Sequence, residues 1–463
     1  MIYTRKIAIL LIIMSAAGIS SAILGLSTEQ VLSITIFTTT ITATILFWKY
    51  KLPISSLGVA FSLSIGLIDV PYLVEAMNID VILFLLGIMV MVRFLEERHF
   101  FEYLISLIIN KVGANGKLLI VVMMFLSGVF AALVGIVASS LFMITSLLYV
   151  TSRLNINPIP YVMMIVFASN IGSAATPIGN PGGLVIALKG SLTIDDFLRW
   201  ATPIAVINLL LVTFISLKIF SKDISRLDTA LKILVKREEE RFRVEMSERD
   251  IYICGALFLG TLVGLMLHHS IEEALGLTRN SMLVGITLIS AGISLLIEGE
   301  RVQELIERGV DWVTIVFFMM LFALVGILEY TEVTGLIAHA FSEIPGGEIG
   351  VILTITVLVG ILSAFLDNVL AIAAMAPVIR ELSTFGLNEY PLWWGAHFAG
   401  TFFGNLTLIA SIANLIAIGI IERRRLGSIS FSEWLRIGSI ITLISTIVAL
   451  FLLIFQMKIL TMI

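Results

Sequence analysis

The stretch SNIGSAATPIGNPGGLVIA, residues 169–187, interrupts an apolar run that is otherwise long enough to cross a membrane. Gly172, Pro177, Gly179, Pro181, Gly182 and Gly183 crowd its centre. Each glycine weakens a helix by about 1 kcal/mol, and an interior proline by about 3 kcal/mol. In hydrocarbon the freed backbone groups have no water to bond, so such a break survives only inside protein or along a cavity. Either the segment lies outside the membrane, or the break is its purpose.

Composition settles the environment. Hydrophobic residues make up 59% of the 463-residue chain and charged residues 13%, with a mean hydropathy of +1.07. Soluble domains carry about 25% charge. The chain reads as an all-α polytopic membrane protein with little room for a soluble domain. A net charge of −4 offers nothing to nucleic acid, and the single Cys254 excludes an internal disulfide. The N-terminus MIYTRKIAILLIIMSAAGISSAILG has the basic start of a signal peptide, but no small-x-small cleavage site closes it; it reads as a retained first helix.

Spanning-length runs recur near 7–25, 31–48, 54–70, 81–97, 159–188, 200–220, 251–267, 281–297, 312–328, 391–421 and 437–457. That makes about 11 transmembrane helices. Two further segments, 117–150 and 349–383, are about 34 residues long, too long for one span and short for two. Both fit re-entrant hairpins. With the N-terminus in the cytoplasm and neither hairpin crossing, Lys49, Arg93, Arg98, Arg153, the basic residues of 218–249 and Arg423–Arg425 fall inside. Only Lys189, Arg199, Arg279, Arg380 and Lys458 remain outside, with the C-terminus. A prokaryotic-type plasma membrane suits this pattern.

The chain also repeats itself. NIDVILFLLG (78–87) answers GVDWVTIVFF (309–318), and FLEE (94–97) answers ILEY (327–330). GVFAALVGIVASSLFMITSLLYV (128–150) matches GILSAFLDNVLAIAAMAPVIREL (360–382), and SAATPIGNPGGLVIA (173–187) matches GNLTLIASIANLIAI (404–418). The expected organisation is an N-terminal helix (1–30), a first repeat (31–220), a cytoplasmic linker (221–250) and a second repeat (251–463). Each repeat holds five spans and one hairpin; five is odd, so the second copy is inverted. Inverted repeats with interrupted helices are the signature of a secondary transporter whose site lies between them.

A helix broken at mid-depth presents N–H groups to anions and C=O groups to cations. The candidate ligands are Asn170, Ser173, Thr176, Gly179 and Asn180 in the first half, and Asn405, Thr407, Ser411 and Asn414 in the second. The competing explanation, small residues for close helix packing, does not account for two matched clusters. Asp367 is the only carboxylate inside either hairpin, at the expected tip. Burial disfavours a bare charge there, which makes Asp367 a natural carrier of H+ or Na+; capping the second hairpin arm is the plainer role. Asn368 beside it, together with Asn405, offers uncharged oxygens to Na+. His397 is the one histidine read as lying in a span, either a neutral ring bonded to backbone or a proton relay. Glu96 and Glu329, matched between repeats, read as helix caps or interface anchors, and 236–250 as a solvated connector.

At these residues the sequence resembles the ion transporter superfamily, the group of arsenite permeases, NhaD-type Na+/H+ antiporters, the melanosomal P protein and divalent-anion/sodium symporters. The resemblance runs from about residue 31 onward. SNIGSAATPIGNPGGLVIA is similar to the signature NIGG-A-T-IG-PPN, GNLTLIASIANLIAIG to GN-T-IG-SAN, and SAFLDNVLAIAAMAPV to the hairpin-tip DN element. The resemblance implies a scaffold and a moving transport domain in an elevator-type transporter, often a homodimer. Two departures matter. The PPN is here Pro181-Gly182-Gly183, and opposite Asp367-Asn368 the first hairpin has Gly135 and Ile136, followed by Ser139 and Ser140. One carboxylate-centred coupling site, in the second half, is the resulting expectation.

The function expected is secondary active transport of a small inorganic ion or oxyanion, coupled to H+ or Na+ through Asp367, of arsenite-permease or Na+/H+ antiporter type. No enzyme motif and no cofactor motif appears: there is no HExxH and no paired intramembrane aspartates. The alternatives are a sodium-coupled carboxylate carrier, a passive channel, and the membrane subunit of an ATP-driven pump whose soluble ATPase docks on 221–250.

Overall fold

The computed structural model describes residues 2–112, 115–237, 246–278, 281–365 and 368–460, all helix and connecting turns with no strand among them. Among these residues, eleven helices are long and apolar enough to cross a membrane, and a bent pair would make a twelfth. The number agrees with expectation while its members differ. Four of the eleven are hairpin arms: Gly116–Val134 and Ile136–Arg153 in the first hairpin, Gly347–Phe365 and Asn368–Phe385 in the second. At 1.5 Å per residue an arm of 19 residues is about 28 Å long, so length alone would let it span. Conversely, 159–188 and 391–421 are each divided into two short helices. The run expected at 54–70 is a 14-residue helix, Lys51–Ser64. Gly66, at φ 74°, turns the chain out of that helix. Asp69 then caps the next short helix and Pro71 stands in its first turn.

Helix starts follow local chemistry. Asn115 caps the first hairpin through Leu118 N–H, Asp311 caps Trp312–Tyr330 through Thr314 N–H, and Asn388 caps Glu389–Phe402 through Tyr390 N–H. The first hairpin turns on one residue, Gly135, at φ 90° and ψ 154°, where a side chain would be strained.

The order of elements from Thr28 to Ile219 recurs from Glu248 to Leu460. Matched helices exchange partners. Ile79–Glu97 of the first half packs on Ser281–Glu298 of the second; its counterpart Trp312–Tyr330 packs on Lys51–Ser64, the counterpart of Ser281–Glu298. Pro181–Lys189 packs on the second arm of the second hairpin, while Ile412–Arg423 packs on the second arm of the first. Thr202–Ile219 and Phe431–Leu460 pack on each other. Such reciprocal contacts are what a two-fold axis between the halves produces.

Burial separates the layers. Tyr161 through Gly172 are buried without exception, the mark of a helix surrounded by protein on every side. The first helix is covered over only 6% of its apolar window and stands at the periphery. Between the halves, Ser221–Arg237 forms an amphipathic helix that buries Ile224, Leu227 and Leu231 beside the first hairpin arm. There Gly116 N–H donates to Asp228 at 2.9 Å, and the Tyr161 hydroxyl donates to the Asp223 carbonyl at 2.6 Å.

Candidate functional site

The stretch 169–187 folds as its residues dictate. Its first helix ends at Gly172, a 3-10 turn covers Ser173–Ala175, and the backbone is extended at Thr176 and Asn180. A second helix starts at Pro181, capped by Asn180 through Gly183 N–H at 2.8 Å. The fold back is so close that a Cβ on Gly179 would lie 2.0 Å from the Ser173 carbonyl oxygen. The second half does the same with different residues. Glu389–Phe402 ends in a 3-10 turn at Phe403–Asn405, and Ser411 caps Ile412–Arg423 through Ala413 N–H.

Each break is tied to its own hairpin. The Thr176 hydroxyl donates to the Ala132 carbonyl, and the Thr407 hydroxyl to the Ala364 carbonyl at 2.5 Å. At the first tip, Ile136 N–H donates to the Gly179 carbonyl at 2.9 Å, so hairpin and break meet end to end. The carbonyls freed by the breaks are taken up from within. Asn180 donates to Ser173 O at 3.1 Å; Asn414 donates to Gly404 O and Thr407 O at 2.8 Å each. These two asparagines do the same work from positions about one turn apart in the repeat.

The two breaks also bond to each other. Asn170 donates to Asn405 Oδ1 at 2.7 Å and to Asn414 Oδ1 at 3.1 Å, and accepts from the Ser411 hydroxyl at 2.8 Å. Asn180 reaches Thr401 Oγ1 at 3.4 Å and accepts from Asn368, also at 3.4 Å. His397 Nε2 meets the Ala174 carbonyl at 2.9 Å, and its fully buried ring packs edge-on against Phe197. An Nε2–H donated to that carbonyl fits a neutral ring.

Thus Asn170, Ser173, Asn180, Asn368, Asn405, Ser411 and Asn414 share one buried network, with Thr176, Gly179, Thr407 and His397 at its edges. Asp367 lies outside the described residues. Asn368 and Asn405, expected to share an ion, bond to different asparagines. Most of the side-chain oxygens in this network are already engaged, so it works as a staple between the halves. Sequence reasoning missed Thr401, although it stands opposite Asn170 in the repeat register, and Thr202, which donates to the Ala175 carbonyl at 2.8 Å. It also missed Trp434, whose indole donates to the Asn405 carbonyl at 3.0 Å.

Space for a ligand lies beside the staple. A cavity of about 120 Å³ is bounded by the first hairpin tip (135–138), the first break (177–181) and one side of Ile79–Glu97. Two helix N-termini, at Ile136 and Pro181, border it, which favours a negative ligand. Arg93 and Glu96 line its far end, and Arg93 is compensated by Glu97 at 3.0 Å and Glu96 at 3.7 Å. Among the described residues, no group of three His, Cys, Asp or Glu side chains is placed to hold a metal.

Comparison with known proteins places the chain. The family model described as CitMHS, citrate transporter, matches residues 41–399. An uncharacterized transporter of Mycobacterium tuberculosis is 30% identical over 378 residues, covering 80% of this chain and 84% of that protein. The human P protein is 25% identical over 438 residues, 79% of this chain and 52% of the P protein. In fold, the chain is similar to the YdaH transporter of Alcanivorax borkumensis, with TM-score 0.53 and 15% identity over 82% of this chain and 84% of that one. MtrF of Neisseria gonorrhoeae, described as one of a class of antimetabolite efflux pumps, gives TM-score 0.50 and 14% identity over 86% and 84%. With a family model spanning most of its length and an apolar fold of transporter type, the chain is an integral membrane secondary transporter and belongs to the CitMHS citrate transporter family of the ion transporter superfamily.

Proposed function

We propose that this transporter carries a small oxygen-rich anion, an inorganic oxyanion or a carboxylate, coupled to H+ or Na+ through Asp367. The observation that carries the reading is the cavity between the first hairpin tip, the first break and Ile79–Glu97, with two helix N-termini at its wall. The hairpins and broken segments form the moving body; Ile79–Glu97, Trp312–Tyr330 and the helices behind them form the scaffold. The repeats are inverted, the N-terminus is cytoplasmic, and the cavity opens toward the cytoplasmic end marked by Arg93.

Coupling follows from position along the chain. Asn368, next to Asp367, donates to Asn180, which caps the half-helix at the cavity. Loading Asp367 with a proton or Na+ therefore bears on the first break through one side chain. The description of the family as citrate transporters favours the carboxylate form over the arsenite-permease form.

The test is proton movement in proteoliposomes that hold a pH gradient and an internal pH dye, repeated with and without Na+. Citrate, phosphate, arsenite and Li+ are added in turn to the parent and to Asp367→Asn. The expected result is gradient collapse by one anion, slowed about 100-fold or more in the variant, in line with the loss of an obligatory charge carrier. Equal rates in the two proteins would make Asp367 a helix cap. A response to Li+ with no anion would favour the antiporter form.

A further inference from the structure

A second cavity, about 40 Å³, lies along the same interface and belongs to no part of the site above. Its lining includes Asn78, Lys189, Phe322, Glu329, Ala373 and Pro377. Lys189 ends the second half-helix of the first break, and Ala373 and Pro377 lie on the second hairpin. Glu329 ends Trp312–Tyr330. The cavity is therefore walled by both bodies of the transporter, with a cation from one and a carboxylate from the other.

The charges around it are sorted in the same way. The charged groups acting on Lys189 are Arg380, Glu329, Asp80 and Glu75. Lys189 and Arg380 both belong to the broken segment and hairpin. Glu75, Asp80 and Glu329 all belong to the helices they face. Around Lys189, the cations lie on the moving body and the carboxylates on the helices it faces.

The repeat shows why Glu329 is free to face across. Its counterpart Glu96 has a cation one turn back on its own helix, Arg93, at 3.7 Å. The residue in Arg93's place is Gly326, and Trp312–Tyr330 contains no lysine or arginine. No side chain fits at 326, where a Cβ would lie 2.4 Å from the Ala76 Cβ. The in-helix partner has been removed in the second half only, and Lys189 stands across the cavity instead. Opposite Lys189 in the repeat register is Ile420, so the arrangement has no twin at the other end.

We propose that Lys189 and Glu329 form an electrostatic latch across this cavity, holding the moving body against the scaffold on the face opposite the substrate cavity. The inference rests on the two-body reading of the transporter, and the experiment separates the two. Ala373→Cys is introduced into a Cys254→Ala background and labelled with a membrane-impermeant maleimide in proteoliposomes. Lys189→Glu and Glu329→Lys should each speed labelling about tenfold, and the charge-swapped double variant should return it to the parent rate. Neutral Lys189→Gln and Glu329→Gln provide the same comparison, with a smaller acceleration, should a reversal fail to fold. Single variants that label at the parent rate, or a double variant as fast as the singles, would overturn the latch. Labelling of Ala138→Cys in the first cavity tests the two-body reading. Slower labelling there, as the second cavity opens, supports both ideas. An unchanged rate there, with the swap still restoring Ala373→Cys, keeps the Lys189–Glu329 pairing across the cavity but removes the two-body reading, and with it the pair's role as a latch.

Discussion

At the scale of single residues, the site depends on amides that bond to one another. Asn170 alone joins Asn405, Asn414 and Ser411, all buried. Asn170→Ala leaves those partners unsatisfied, and at about 1–3 kcal/mol per orphaned buried group the expected destabilisation is about 2–4 kcal/mol. The measurement is thermal unfolding in detergent, and an unchanged Tm would mean that the staple carries no weight. Glycines divide into two kinds. Gly179→Ala must displace backbone, because its Cβ would sit 2.0 Å from Ser173 O, and should abolish transport. Gly292→Ala meets nothing within 4 Å, lies inside a helix, and should be neutral or stabilising by up to about 1 kcal/mol. Equal effects of the two on flux would place the break outside the working site. Their difference was partly legible in sequence. Gly179 stands in the broken signature and Gly292 in an uninterrupted run, but the clash with Ser173 arises from the fold back.

At the scale of elements, the amphipathic helix Ser221–Arg237 clasps the first hairpin. Asp228 accepts from Gly116 N–H at the foot of the hairpin and pairs with Lys232 at 2.6 Å. The Lys232 ammonium, and after it the Gly116 N–H, hold the Asp228 carboxyl below its ordinary range. A carboxyl whose folded value is depressed contributes stability that is present above the unfolded value and lost as pH falls through the folded one. The Tm advantage of the parent over Asp228→Ala should therefore be full at neutral pH and shrink below about pH 4. A pH-independent gap would assign the effect to packing rather than charge. The apolar spacing of Ile224, Leu227 and Leu231 is readable as a helix face. Which surface it covers is not, since its partner lies more than a hundred residues earlier.

At the scale of the whole molecule, two cavities share one interface. Phe84, Leu85 and Leu184 line the larger; Val81 and Val185 line the smaller. One apolar layer divides them, so a rigid shift of the hairpins and breaks along Ile79–Glu97 would close one cavity as it opens the other. With the proposed orientation, Ala138→Cys should label in inside-out vesicles and not in right-side-out ones. The reverse pattern would invert the topology. The acid–base cluster at the Arg98 end joins the halves independently of the breaks. Arg98 pairs with Glu298 at 2.8 Å and with Asp250 at 3.7 Å.

The sequence by itself determined the membrane environment, the interrupted helices and their repetition, because hydropathy, glycine and proline act locally and leave a periodic trace. It located nearly every polar residue of the network, since asparagine and threonine in an apolar run require partners. What it could not contain is who those partners are. Asn170 bonds across 235 residues to Asn405, and Asn368 bonds across 188 to Asn180. Only the packing of one half on the other decided that these side chains satisfy each other, leaving the ligand space one step aside. Whether a hairpin arm is re-entrant or spanning was likewise beyond length and composition. The first hairpin is set against the first break by tertiary contacts, Ile136 N–H to the Gly179 carbonyl and the Thr176 hydroxyl to the Ala132 carbonyl among them, that no local pattern specifies.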